Sequence, residues 1–359
     1  MPDIIFKTKG QEFGGWTGAK IQKSLYQMTG TFGLTTTDIY PGSFEKWNFS
    51  MGDECQISID DQILITGYVE DILITYDPIK HNIQIAGRDK TGDLVDCCYA
   101  STPRQWTGQK ILKVIRALCD PFGIDVDVDA SVTSEVNQKT ISETFKINEG
   151  ETVFDSILRL CKKGILPVSY GNGKLILTGT GTEKTHDDLE LGKNIKSGSI
   201  DQSNRDRFQT YLVKGQGKQQ AGFFKSNESI AQPKHEYEDE LINRYRPFII
   251  LSEGEEKDFK DIAKWECVQR AGMSRTINYE VQGWTQSNGK VWPLNTLAYV
   301  KDSFLGINKQ MLIASVLFSI DNDLGAMTEL TLVHPETFQL PSTNPTLSIS
   351  SSVDNIFGT

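Results

Sequence analysis

The sequence predicts an α+β fold that is mainly β. Alternating apolar residues fill residues 55–87, which is the period-two pattern of strands with one buried face. Two segments change to a helical period, at residues 111–119 and at about residues 151–163. Alternating strands return near residue 208 and, after a loop and a helix at about residues 216–276, continue to about residue 333. This order predicts two β regions with a small α/β region between them.

The residue pattern of the first β region predicts an antiparallel meander. Its apolar positions are four pairs of isoleucines spaced two residues apart: Ile57 and Ile59, Ile63 and Ile65, Ile72 and Ile74, Ile83 and Ile85. Turn-forming pairs separate them: Asp60-Asp61, Glu70-Asp71 and Asp77-Pro78. The pattern predicts about four strands. A half-buried meander of this kind either closes into a small barrel or packs on a second sheet.

The middle of the chain has the signals of a small α/β domain. Thr107 is positioned to cap a helix that ends near Pro121. The second amphipathic helix stops at Gly164, and a hairpin follows that turns at residues 171–173. We therefore assign residues 96–180 to this domain.

The domain boundaries follow from these changes of pattern. Residues 1–95 are assigned to an N-terminal β-barrel, and residues 181–338 to a second β-barrel with a loop and helix insertion at about residues 216–276. Residues 339–359 are rich in Ser, Thr and Pro, which predicts an extended or disordered tail.

An internal repeat supports two related barrels. The segments LITGYVEDILITYD (64–77) and LIASVLFSIDND (312–323) both combine alternating apolar residues with an acidic turn. Period-two strands resemble one another by chance, so the signal is suggestive rather than specific. It predicts two similar β-barrels in each chain.

Composition restricts the cellular setting and the partners. The first residues do not show the pattern of a signal peptide, and no apolar run reaches membrane-spanning length. We therefore expect no secretory leader, synthesis in a cytoplasm and no membrane insertion. The six scattered cysteines contain no CxxC pair and are expected to be buried, reduced thiols. A net charge of −10 disfavours a nucleic-acid binder, but it suits a surface that DNA passes without binding.

Three motifs invite a catalytic or binding interpretation, and each fails on spacing. The fragments GNGK (171–174) and GQGK (215–218) lack the first glycine and the Ser or Thr of a phosphate loop. The acidic series that begins at Asp125 has Ala130 and Val136 where a calcium loop needs Gly and Glu. The four histidines have no mutual ligand spacing. We therefore predict no catalytic, cofactor-binding or metal-binding residue, and no cofactor.

One loop has the composition of a protein interface. Arg244, Tyr245, Arg246 and Pro247 combine two arginines with a tyrosine, which are the residue types that anchor contacts between proteins. A solvated loop with local salt bridges explains the same residues. A possible subunit interface at these four positions is therefore one of two open interpretations.

Several motifs in this order resemble Mu-like phage baseplate hub proteins, the late-control-D type of contractile-tail hub. The N-terminal part of the resemblance consists of Gly67-Tyr68-Val69, Gly87-Arg88-Asp89 and Asp93-Leu94. The middle part begins at Gly150-Glu151-Thr152 and continues through a helix, Gly164 and a hairpin. The segments YRPFII (245–250) and 292–338 extend the resemblance, which covers most of residues 50–338.

The resemblance implies a structural role rather than an enzymatic one. It implies a homotrimer in which each chain contributes two tube-forming β-barrels to a pseudo-six-fold ring. Such a ring joins the tail tube to the central spike and lets DNA pass, and the protein is expected in the baseplate of the virion. Two alternatives remain: a spike-like hub component of a type VI secretion system, and a tail-associated cell-wall hydrolase.

Overall fold

The computed structural model describes residues 3–37, 48–78, 81–138, 140–141, 144–161, 165–215, 234–252, 259–321 and 325–338. The protein is mainly β, as the alternating pattern predicts. The first 89 residues contain strands alone among the described positions: β1 (Ile4–Thr8), β2 (Gln11–Phe13), β3 (Gly18–Ser24), β4 (Thr31–Thr36), β5 (Glu54–Ile59), β6 (Gln62–Tyr76) and β7 (His81–Asp89).

The middle of the chain alternates helices with short strands. Its elements are α1 (Gly92–Asp96), β8 (Gln105–Trp106), α2 (Ile111–Cys119), β9 (Val126–Val128), α3 (Thr133–Gln138), β10 (Phe145–Lys146), α4 (Val153–Cys161), β11 (Leu166–Val168) and β12 (Leu175–Thr178). β12 pairs parallel with β9 and antiparallel with β11. The apolar faces of α2 and α4 are buried with β9 and β12 in one core cluster, because the 3.6-residue period places their apolar side chains on one side.

The last part of the chain returns to strands. Its elements are β13 (Leu189–Glu190), β14 (Ile195–Gln202), β15 (Thr210–Gly215), β16 (Lys234–Glu238), β17 (Pro247–Ser252), α5 (Phe259–Met273), β18 (Arg275–Gln282), β19 (Leu297–Asp302), β20 (Ile307–Asp321) and β21 (Gly325–Val333). The chain divides into two compact units. Unit one comprises Met1–Ser199, Asn278–Lys301 and Asn308–Leu332, and unit two comprises the rest.

The large sheet, most of whose residues belong to unit one, contains the same arrangement of strands twice. Its strands follow the order β14-β18-β21-β20-β3-β4-β7-β6-β5-β1-β2, and β19 pairs with β20. The order β3-β4-β7-β6-β5, which we call the first repeat, is therefore matched by β14-β18-β21-β20-β19, the second repeat. β5, β6 and β7 have 6, 15 and 9 residues, and β19, β20 and β21 have the same three lengths. The described parts of the two segments of the internal sequence repeat lie mainly in β6 and β20, which occupy equivalent places in the two strand orders. Closure of either repeat into a barrel stays a prediction.

The predicted four-strand meander is wrong in one detail. Residues 55–87 form three strands, because the pair Glu70-Asp71 does not make a turn. The register of β6 against β7 shifts between Val69 and Asp71, so the acidic pair lies at a bulge within one continuous strand. The Glu70 carboxylate accepts a hydrogen bond from Arg88 Nε on the neighbouring strand at 2.7 Å, which gives the acidic side chain a partner without a turn.

Helix α2 of the middle region begins at a different residue from the one that the sequence predicts. Lys110, not Thr107, is the N-cap of α2, and its side chain makes no capping hydrogen bond. Thr107 instead pairs with the hydroxyl of Thr144 at 2.8 Å. The stop signal at Gly164 lies outside the described residues, as do residues 339–359 and the parts of the predicted insertion at 216–233 and 253–258. The predicted domain boundaries stay predictions.

Unit two is a three-stranded sheet covered by a helix. β15 lies at the centre, with β16 antiparallel on one side and β17 parallel on the other. Tyr211 and Val213 project from one face of β15 and are buried with Phe259, Ala263 and Cys267 of α5. The opposite face of the same sheet carries the alternate residues of each strand.

Candidate assembly surfaces

A buried aspartate joins the first repeat to the α/β region within unit one. The Asp89 carboxylate accepts hydrogen bonds from Thr91 N at 3.0 Å, from Thr91 Oγ1 at 2.8 Å and from Gly173 N at 3.1 Å. It is 1% exposed, so these three donors replace the water that a buried carboxylate loses. Asp89 belongs to the Gly-Arg-Asp motif of the sequence, and the structure gives that motif a structural role.

The glycine turn at residues 171–173 lies directly on the backbone of β6. Thr66 N donates to Gly171 O at 2.7 Å. A Cβ at Gly171 would lie 1.6 Å from Leu64 O, and the residue has φ +89°. Both facts require glycine. The GNGK fragment therefore serves a backbone contact, in agreement with its interpretation as a hairpin turn.

Asn295 makes the equivalent connection next to the second repeat. Its side-chain Nδ2 donates to Gly179 O at 3.0 Å and to the Tyr170 hydroxyl at 3.1 Å, and its Oδ1 accepts from Gly181 N at 2.9 Å. Its backbone N donates to Ile313 O of β20 at 3.0 Å. The side chain of one buried residue thus fixes the end of the α/β region beside β20.

A buried lysine lies beside these contacts. Lys23 of β3 is 7% exposed, and its Nζ lies 3.5 Å from Tyr170 O and 6.0 Å from the centre of the Phe318 ring. Burial lowers the pKa of Lys23 to about 8, and the nearby Asp89 charge opposes part of that shift. These two contacts place the lysine at the junction of β3, β20 and the α/β region.

Arg88, the arginine of the same motif, anchors the end of β7. Its guanidinium binds Glu70 Oε2 through Nε at 2.7 Å and Asp96 Oδ1 through Nη1 at 3.2 Å. The hydrogen bond from Arg88 lowers the pKa of Asp96. The arginine is therefore committed to contacts within the chain.

The far half of β6, residues 70–76, has an open edge. β5 pairs with β6 only along residues 62–68, and no described strand pairs with residues 70–76 on that side. Three apolar side chains there are exposed: Leu73 at 53%, Ile74 at 62% and Tyr76 at 81%. An open edge with exposed apolar residues is a template for pairing with another strand.

β14 is the second open edge. It is the terminal strand of the large sheet, and among the described strands it pairs only with β18. Its residues from 196 to 202 are exposed, apart from half-buried Ile200. Gly198 faces the Tyr279 ring of β18, because a Cβ at Gly198 would lie 2.8 Å from that ring. The outer side of the strand is available for a further strand.

Unit two carries a third exposed surface, next to the interface residues predicted from the sequence. Arg244, Tyr245 and Pro247 are exposed, and Tyr245 is 85% exposed. Arg246 differs, because its guanidinium donates to Arg205 O at 2.6 Å and lies 5.0 Å from the Phe208 ring. The outer face of β17 continues this surface with exposed Ile249 and Leu251.

Two of the cavities among the described residues lie in different parts of the fold. One of about 360 Å³ lies in unit two and is lined by Arg207, whose guanidinium forms a buried bidentate pair with Asp239 at 2.8 and 3.0 Å. Another of about 460 Å³ lies beside Tyr99 and Arg116. Within the part of the chain that the structure describes, no three His, Cys, Asp or Glu side chains are grouped as a metal site would require.

The prediction of buried thiols is wrong for two cysteines. Cys97 and Cys98 are exposed, whereas the other four are buried, and all six are free thiols. Partial desolvation, with the charges of Asp93 and Asp96 as lesser causes, raises the pKa of Cys97. A raised pKa disfavours the reactive thiolate. Over the described positions, no helix is both long enough and apolar enough to span a membrane.

Sequence reasoning did not identify β3 and β14, the strands on which these edges depend. β3 lies in the first fifty residues, where the alternation GAKIQKS is short and interrupted by lysines. β14 contains one apolar residue at each end of a polar run, so hydrophobic periodicity gives almost no signal. The signal that the two segments share is short: Ala-Lys-Ile at 19–21 and Gly-Ser-Ile at 198–200 both read small residue, polar residue, Ile.

Sequence models of three phage protein families match the chain in succession. They are Mu phage baseplate assembly protein GpP-like, N-terminal (residues 3–89), baseplate hub protein gp44-like, second domain (residues 91–179), and Mu phage baseplate assembly protein GpP, fourth domain (residues 255–341). Baseplate hub protein gp44 of Escherichia phage Mu is 29% identical over 346 residues, which cover 94% of this chain and 89% of that protein.

Solved structures agree with these matches. The 43 kDa tail protein of prophage MuSo2 from Shewanella oneidensis is 32% identical, with a TM-score of 0.81 over 94% of this chain and 99% of that chain. The tail protein from Neisseria meningitidis MC58 shares the fold, with 19% identity and a TM-score of 0.73 over 92% of this chain and 96% of that chain. The chain belongs to the family of Mu-like phage baseplate hub proteins.

Proposed function

We propose that three copies of this chain form a ring that joins the tail tube to the central spike of a contractile phage tail. The observation that carries the proposal is the internal repeat of the large sheet. Three chains with two similar repeats each present six similar units around one axis, so a three-fold assembly can meet a six-fold partner. A closed ring requires that one edge of each chain fits a different edge of the next chain. The open side of β6 and the outer side of β14 are two such edges.

In this proposal each repeat closes into a tube-forming barrel around a channel that DNA passes. The net charge of −10 supports a channel without affinity for DNA, because like charges repel and no counterions are released on contact. The protein would be made in the host bacterial cytoplasm and act in the baseplate of the virion. Its partners would be the tube and spike proteins.

The role is structural and not enzymatic. The polar side chains of Arg88, Asp89 and Asn295 form hydrogen bonds within the chain, and Arg207 pairs with Asp239. These structural contacts support the proposed role. The cell-wall hydrolase alternative predicts that the purified protein clears peptidoglycan. Clearing that is lost on substitution of one Asp, Glu or Cys would overturn this part of the proposal. The similarity to a phage tail protein at 32% identity favours the phage tail over a type VI secretion system.

Arg244, Tyr245, Arg246 and Pro247 are proposed as part of a subunit or partner interface. The exposure of Tyr245 supports the proposal, and the internal contacts of Arg246 suit it to hold the loop in shape. We expect Tyr245→Ala to weaken association with a tail partner while Arg246→Ala also destabilises the loop. Pull-down of tail proteins by each variant would test this, and unchanged binding by Tyr245→Ala would contradict it.

The ring itself is tested by the mass of the protein in solution. Sedimentation at micromolar concentration should give three times the chain mass of 40.2 kDa. Electron microscopy of the same sample should show a three-fold particle with a central hole. A chain that remains monomeric at the highest attainable concentration would overturn the proposed ring.

A further inference from the structure

The first strands of the two repeats can be aligned residue by residue. β3 reads GAKIQKS (18–24), and the segment that includes most of β14 reads SGSIDQS (197–203). Ala19 pairs with Leu34 of β4, and Gly198 faces Tyr279 of β18. Leu34 and Tyr279 are both fully buried. These contacts support an alignment in which Gly198 corresponds to Ala19 and Ile200 corresponds to Ile21.

Within one chain, the far half of β20 already pairs with β3. The pairing is antiparallel and places Phe318 opposite Ile21, Ser319 opposite Lys20 and Ile320 opposite Ala19. Phe318, Ile21 and Ala19 are at most 3% exposed. This seam joins the second repeat to the first.

The far half of β6 is the counterpart of this part of β20. Ile72 and Ile74 pair with Ile85 and Ile83 of β7, so they lie on the core face of the first repeat. The last three core-facing positions of β6 are Ile72, Ile74 and Tyr76, and those of β20 are Val316, Phe318 and Ile320. Phe318 is buried by β3, whereas Ile74 is 62% exposed.

We infer that β14 of one copy pairs antiparallel with residues 70–76 of β6 in the next copy, in the register of the β3–β20 seam. The inference rests on the proposed ring and names its joint. It places Ile74 opposite Ile200 of the neighbouring copy, Thr75 opposite Ser199 of the neighbouring copy and Tyr76 opposite Gly198 of the neighbouring copy. Each ring then alternates three joints within chains with three joints between chains.

The physical fit favours this occupant of the two edges. In the seam within the chain a small residue, Ala19, lies opposite the larger Ile320. In the proposed joint Gly198 lies opposite Tyr76, which again combines the smallest side chain with a large one. Pairing would also satisfy the backbone N–H and C=O groups along both open edges and cover Ile74 and Tyr76.

Cysteine crosslinking tests the register directly. We would replace the exposed Cys97 and Cys98 by serine and add Thr75→Cys with Ser199→Cys in the same chain. Directly opposed positions on paired antiparallel strands have Cβ atoms roughly 4.5–5.5 Å apart, which is close to disulfide geometry. Mild oxidation should therefore give covalent trimers on a non-reducing gel.

Two matched pairs control the experiment. Lys20→Cys with Ser319→Cys crosslinks the known seam within one chain, so it should form a disulfide without a larger mass. Thr75→Cys with Ser197→Cys keeps the same face of β14 but shifts the partner by two residues, roughly 7 Å along the strand. It should crosslink at least about tenfold more slowly if the register is right.

The outcomes separate this joint from the ring. A particle of trimeric mass in which Thr75 and Ser199 fail to crosslink would overturn the joint and leave the ring intact. Equal crosslinking by the shifted pair would overturn the register. A monomer without crosslinks at any concentration would overturn both the joint and the proposed ring.

Substitution of the apolar side chains gives a second measurement. Ile74→Asp with Tyr76→Asp places two charges in the joint and should raise the dissociation constant of the trimer by about tenfold or more. Ile63→Asp is the matched control, since Ile63 lies on the same strand and is 50% exposed but pairs with Ser58 of β5. Equal weakening by the control would overturn the proposed joint.

Discussion

The hairpins β6–β7 and β20–β21 have the same strand lengths and opposite surroundings. Phe318 in the far half of β20 is fully buried, whereas Ile74 in the far half of β6 is 62% exposed. The difference arises because β3 pairs with residues 315–320 of β20, while no described strand pairs with residues 70–76 on the open side of β6. The apolar residues of β6 are therefore exposed because no described strand pairs with them on that side, and not because the two hairpins differ.

The connections of the two repeats differ as much as their edges. Residues 25–30 join β3 to β4, whereas residues 203–274 join β14 to β18 and contain most of unit two. The strand order is nevertheless the same in both repeats. An antiparallel pair tolerates a long insertion in its connection because loop closure costs little additional entropy as the loop lengthens.

The largest predicted effect concerns a glycine beside each repeat. Gly171 lies against the backbone of β6, and Gly192 precedes β14 with open space around its Cα, although both have positive φ. We expect Gly171→Ala to lower the free energy of unfolding by more than about 4 kcal/mol, because the methyl group clashes with Leu64 O. Gly192→Ala should cost about 1–3 kcal/mol, from backbone strain alone. Urea unfolding followed by tryptophan fluorescence measures both, and equal losses would contradict the contact.

The next prediction compares the two core-facing strand positions. Phe318→Ala should cost about 3–5 kcal/mol of stability, because it leaves a cavity in a filled seam. Ile74→Ala should change the stability of the dilute monomer by less than about 0.5 kcal/mol. Thermal unfolding at a concentration below assembly is the measurement. A large loss for Ile74→Ala in the monomer would mean that its side chain is already packed within the chain.

The smallest prediction concerns the pH dependence of the β3 seam. Lys23 has a pKa of about 8 in the folded protein against 10.5 when unfolded, so the unfolded chain binds more protons between these values. The free energy of unfolding therefore rises with pH across this window, by up to roughly 3 kcal/mol. Lys23→Gln introduces the residue that β14 has at the corresponding position, Gln202, and should remove this rise. The measurement is the free energy of unfolding of the unchanged protein and of Lys23→Gln at several pH values from 7 to 10. The same change with pH in both proteins would contradict the prediction.

The strongest sequence patterns predicted the fold well. The alternation at residues 55–87 and the apolar faces at 111–119 and 153–161 correspond to observed strands and helices, because one buried face imposes its period on the sequence. The internal repeat was visible in LITGYVEDILITYD and LIASVLFSIDND. Glu70-Asp71 was misread as a turn, since a bulge with an Arg88 partner on the neighbouring strand is a long-range feature.

The candidate surfaces were the least predictable part. β14 is almost wholly polar, so its strand character depends on backbone pairing with β18 rather than on burial. No sequence pattern marks Asn295, although its side chain makes three hydrogen bonds at distances of 3.1 Å or less. Its role depends on residues more than a hundred positions away, which local patterns do not report.

The presence of both repeats on one polypeptide has a consequence for how the protein can evolve. A ring of six identical single-repeat subunits would have six identical joints, and every mutation would change all of them together. Here β3–β20 and the open edges of β6 and β14 are encoded by different codons. In the proposed ring, selection could therefore tighten one joint while it loosens the other. It could also enlarge one connection, as in residues 203–274, without enlarging residues 25–30.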